Sequence, residues 1–91
     1  MANVVVKLKV MPESPETNLD EIKEKATKLI EKYNGYVHKV EQEPIAFGLI
    51  ALNFIFLIPE AQGSTDNLEA EISKLEHVQS VEVTDVRRAF G

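Results

Sequence analysis

From Ile45 to Ile58 the chain reads IAFGLIALNFIFLI, apolar throughout except for Gly48 and Asn53. A helix that crosses a membrane needs about 20 consecutive apolar residues. This run is shorter and is bracketed by Pro44 and Pro59. A membrane span is therefore excluded, and the run reads as a strand buried on at least one face. The whole chain has 91 residues, enough for one small domain over residues 1–91 with one modest core.

The remaining segments fit around that strand. Val4 to Met11 alternates, with Val4, Val6, Leu8 and Val10 on one face and Val5, Lys7, Lys9 and Met11 on the other, which predicts a half-buried strand. After the loop MPESPETN, Asn18 is placed to cap a helix with Glu21 as its capping-box partner. Leu19, Ile22, Ala26, Leu29, Ile30 and Tyr33 form its buried stripe, and Asn34-Gly35 ends it. Tyr36 to about Gln42 predicts a second strand and Phe47 to Ile58 the third, joined through Glu43–Ala46. Pro59–Ser64 reads as a loop. Leu68, Ile72 and Leu75 mark a second helix, capped by Asp66 with Glu69, or by Ser64 or Thr65. His77–Val86 predicts a last strand with Val81 and Val83 inward; Val86 breaks the parity, as at a bulge or a strand end.

The order βαββαβ predicts an α+β, ferredoxin-like sandwich: a four-stranded antiparallel sheet with both helices on one face. Such a fold hosts many functions and implies none. It does raise a question about the apolar run. Leu52, Phe54, Phe56 and Ile58 suffice for the core, yet Leu49, Ala51, Ile55 and Leu57 share the opposite parity. Either that row meets a partner, or the stems of Lys7, Lys9 and their neighbours screen a central strand.

Most chemistry is absent from the sequence. There is no cysteine, hence no disulfide, thiolate metal site or cysteine nucleophile. His38 and His77 stand alone without a ligand or an acid at metal or triad spacing. Glu21, Glu24 and Glu31 alternate with lysines as a solvated face, and there is no phosphate-binding glycine loop. A net charge of −5 and a lack of stacking rings on the inner strands argue against nucleic acid. Without a secretory signal pattern, a cytoplasmic location is expected. No enzyme activity, cofactor or metal is expected either. The only two arginines, Arg87 and Arg88, are read as a short reachable tail after the last strand.

The stretches VMPESPETNLDEI, EPIAFGLIALN and VQSVEVTDVRR, in this order and spacing, resemble the archaeal elongation factor 1-beta family and the exchange domain of its eukaryotic counterpart. The resemblance spans essentially the whole chain. It implies a guanine-nucleotide exchange factor without catalytic chemistry acting on one protein partner, the GTPase elongation factor 1-alpha; a monomer is expected. The aromatic of the family's FG turn, at the partner-binding end, matches Phe47, followed by Gly48. In eukaryotic relatives a lysine near the C-terminus is inserted toward the magnesium and phosphate site of the GTPase. That lysine falls on Arg88, next to Arg87; arginine keeps its charge and replaces a compact ammonium by a planar fork. The alternative from another class is a ligand-sensing regulatory domain that dimerises through the open sheet.

Overall fold

The computed structural model describes residues 3–62 and 65–89. The strands are β1 (Asn3–Pro12), β2 (Tyr36–Pro44), β3 (Ile50–Pro59) and β4 (Val78–Ala89). The helices are α1 (Leu19–Lys32) and α2 (Asp66–Ser73), and short 3-10 turns occupy Ala46–Gly48 and Glu60–Gln62. All pairings are antiparallel in the order β2-β3-β1-β4. This is the ferredoxin-like arrangement expected from the sequence. The apolar run becomes β3, an interior strand paired on both edges.

One face of the sheet carries the core. Val6, Leu8, Val10, Leu52, Phe54, Phe56, Ile58 and Val78 meet Ile22, Ala26 and Ile30 of α1 and Leu68 and Ile72 of α2. Val4, Leu29 and Val83 pack against this cluster while only partly buried. Asn18 caps α1, its Oδ1 accepting from the Glu21 N–H at 3.2 Å. The Glu21 carboxylate does not reach back to complete a capping box; it pairs with Lys25 one turn on, at 2.9 Å. At the other end, Asn34 takes the left-handed φ of 65°. Gly35 serves a different need: a Cβ there would lie 2.5 Å from the Ile30 methyl and 2.8 Å from the Ile30 carbonyl oxygen.

The cap of α2 is Thr65, whose hydroxyl bonds the Glu69 carboxylate at 2.9 Å and no backbone amide. Asp66 is the first residue inside the helix, and Ser64 lies outside the described residues. A second clasp joins the helices. The Tyr33 hydroxyl and the Lys32 ammonium both bond the Glu71 carboxylate, the latter at 3.2 Å. The tyrosine and lysine bonds hold the Glu71 carboxyl below the usual range, and the same carboxylate raises the Tyr33 phenol.

The open face resolves the parity problem of β3. Ala51 is wholly buried and Asn53 nearly so, although both point away from the helices. Asn53 donates to Glu43 Oε1 at 2.8 Å, and Lys9 reaches the same oxygen at 3.9 Å. The Asn53 bond, with help from Lys9, lowers the Glu43 pKa. Charged side chains thus roof the middle of the strand, which is the screening arrangement. Ile55 and Leu57 remain half-buried.

Candidate functional site

The connection between β2 and β3 lies further along the chain than the sequence suggests. β2 continues to Pro44 and β3 starts only at Ile50, so Phe47 sits at the tip of the connection, not at the start of the strand. The loop closes on itself, with the Ile45 N–H donating to the Leu49 carbonyl at 2.7 Å. To turn within this span, Phe47 adopts φ 63°, ψ 28° and Gly48 φ 77°. A left-handed conformation costs a residue with a side chain about 1–2 kcal/mol. The ring gains nothing in return from the core, since Phe47 is 93% exposed. Glycine removes that cost at Gly48, where the nearest atoms to an added Cβ belong to Pro15.

The arginines require a correction. They are not a tail: β4 runs through both, with Arg87 opposite Val5 and Arg88 opposite Val4. The parity break at Val86 has a definite cause. The register of β4 shifts between Lys7 and Leu8, leaving Thr84 as an extra residue whose hydroxyl bonds the Lys7 carbonyl at 3.2 Å. This bulge returns Val86 to the helix side, opposite Val6. It also sends the two arginines to opposite faces. Arg88 lies on the helix side and donates from Nη2 to Glu60 Oε1 in the turn after β3. Arg87 lies on the open face and bonds Asp85 at 2.8 Å.

Val86 is 55% exposed despite its inward direction. Eight residues of helix span about 12 Å, whereas twelve of strand span about 40 Å. α2 accordingly covers the start of β4 and leaves its last residues bare. On the open face, Arg87 ends a straight row across all four strands: Tyr36, Leu57, Val5, Arg87. Tyr36 is 67% exposed. The bulge is one of the two explanations that the parity of Val86 suggests from the sequence, whereas nothing in the sequence singles out Glu60.

Phe47 and Gly48 therefore do not share one site with Arg87 and Arg88. Ile50 opens β3 at the Phe47 end, while Pro59 closes it beside Asn3, the partner of Ala89. The ten residues of β3 separate the two ends by roughly 30 Å. The molecule measures 41 × 20 × 18 Å, so the two groups stand near the poles of its long axis. Among the described residues no three His, Asp or Glu side chains gather as metal ligands, and no helix is long and apolar enough to cross a membrane.

Comparison with known proteins gives a consistent result. The pattern of the EF-1 guanine nucleotide exchange domain matches residues 5–89. The chain is 48% identical to "Elongation factor 1-beta" of Methanobrevibacter smithii over 97% of this chain and 98% of that one. To the protein of the same name from Pyrococcus abyssi it is 48% identical, over 94% of each. Among solved structures, the ACT domain of a GTP pyrophosphokinase from Chlorobium tepidum superposes with a TM-score of 0.59 at 17% identity, covering 89% of this chain and 97% of that one. The de novo designed protein Foldit4 superposes at 0.62 and 19% identity, with 98% of each covered. At such identities these likenesses concern the fold alone.

Proposed function

The chain belongs to the EF-1 guanine nucleotide exchange domain family, with an exchange role in translation elongation, and on that premise we propose that it acts as a monomer in the cytoplasm on elongation factor 1-alpha through the two poles of its sheet. The observation that carries the partner-binding reading is Phe47: an aromatic held almost fully in solvent, in a backbone conformation that costs energy. An aromatic anchor seated in a partner's pocket contributes about 2 kcal/mol or more. At the other pole, Arg88 supplies a cation toward the magnesium and phosphate site, the role that the family resemblance gives it.

Exchange makes and breaks no covalent bond, so its physics is coupling. A protein that binds the nucleotide-free GTPase best weakens nucleotide binding by the same factor with which nucleotide weakens its own. A guanidinium brought beside the phosphates competes with magnesium in a partly desolvated place, where charge interactions exceed their strength in water. Direction comes from the GTP and GDP pools, not from the exchange factor.

The test is the release of a fluorescent GDP analogue from elongation factor 1-alpha. Phe47→Ala should weaken binding of the GTPase at least tenfold while the melting temperature stays within a few degrees. Arg88→Ala should slow release, and Arg88→Lys should restore much of the rate. Wild-type rates for Phe47→Ala, Arg87→Ala and Arg88→Ala alike would refute the two-pole reading.

A further inference from the structure

Arg88 is not free to move as a tail would be. Its backbone is fixed in β4 opposite Val4, and the Thr84 bulge directs its side chain to the helix side. There the guanidinium meets one carboxylate, Glu60, which stands at the start of the turn between β3 and α2. Both side chains are substantially exposed, 62% for Arg88 and 42% for Glu60. The pair thus joins the end of β4 to the turn after β3 without being sealed from water. Val86, two residues before Arg88 on the same face, leaves the ground beside the guanidinium apolar and open.

From this geometry we infer that Glu60 is a restraining partner of Arg88, occupying the guanidinium in the free protein and surrendering it to the anionic groups of the GTPase during exchange. The inference rests on the reading of Arg88 given above. A guanidinium prefers an oxygen pair in its own plane, and a carboxylate and a phosphate present similar pairs. Glu60 is therefore chemically a stand-in for what Arg88 meets in the complex, and the two compete. An exposed ion pair is weak, so handing it over costs little.

The competition has a distinctive signature. Removing the Glu60 charge should favour the complex, whereas removing a part of the working surface should oppose it. Glu60→Gln is expected to raise the rate of GDP-analogue release at subsaturating exchange factor by about two- to fivefold, the range available to an exposed pair. In an Arg88→Ala background the same substitution should have no effect, because the two residues act through each other. Nitrogen-15 relaxation of the Arg88 guanidinium in the free protein should show an ordered group in the wild type and a mobile one in Glu60→Gln.

Each alternative outcome is decisive. If Glu60→Gln leaves the rate unchanged or lowers it while Arg88→Ala slows exchange, the restraint is refuted and the role of Arg88 survives. An equal acceleration in the Arg88→Ala background would assign the effect to surface charge and refute the pairing. If Arg88→Ala itself exchanges at the wild-type rate, the reading of Arg88 fails and the hand-over fails with it, whatever the relaxation data show.

Discussion

At the scale of single residues, the glycines and the residues beside them divide their tasks in ways that composition alone does not reveal. Asn34 bears the positive φ at the end of α1, so Gly35 is there for space. Gly35→Ala should therefore cost about 1–3 kcal/mol, because its methyl would press on both a side chain and a carbonyl of Ile30. Thermal unfolding checks this: for a domain of this size each kcal/mol lowers the melting temperature by about 4–8 °C. A helix-ending role for Asn34-Gly35 is legible in the sequence, but the division of labour is not, since it depends on how closely the turn approaches Ile30. Likewise the resemblance picks out Phe47, whereas its left-handed backbone depends on where β2 and β3 stop pairing.

At the scale of elements, β4 shows how a strand can be read correctly and placed wrongly. Val81 and Val83 announce their face by alternation, and Val86 contradicts them. Without a bulge, Asp85 rather than Val86 would lie on the helix side opposite Val6, putting a carboxylate where the strand now offers an apolar side chain. Inserting Thr84 is the cheaper solution, and it carries the strand onward through both arginines. Deleting Thr84 should consequently straighten β4 without turning any later side chain over: Val86 and Arg88 keep their face. The deletion variant is expected to fold, with hydrogen–deuterium exchange protection retained at Val86 and beyond. Loss of protection across the last strand would mean that the bulge is needed for closure of the sheet. The existence and order of the strands were legible because periodicity is local. The extent of β4 was not, because it is decided by pairing with β1 some eighty residues away.

At the scale of the whole molecule, the two helices form one layer partly because Glu71 ties them together. Its lowered carboxyl pKa contributes stability that is present above the ordinary glutamate range and lost as pH falls through the lowered value. The raised Tyr33 phenol acts in the opposite direction, with a contribution that is complete below its ordinary range and lost as pH rises through the raised value. Glu71→Gln should thus lower the melting temperature near neutrality and flatten its fall between about pH 6 and about pH 3. The flattening will be partial, because Glu21 and Glu43 also titrate low. An unchanged acid slope would show that the clasp is not a source of acid sensitivity. None of this long-range pairing could be read from the sequence, where Tyr33 and Glu71 are merely one stripe residue and one of many acids.

The neighbouring positions of β1 and β4 also determine how the molecule would respond to tension. Asn3 and Ala89 face each other across an antiparallel pair, and both lie at the same end of the sheet. A pull applied through these two residues would act across the strands, along the hydrogen bonds and not against them in shear. The load would fall on one rung at a time, and β1 and β4 would peel apart like a zipper from the Arg88 pole toward the Phe47 pole.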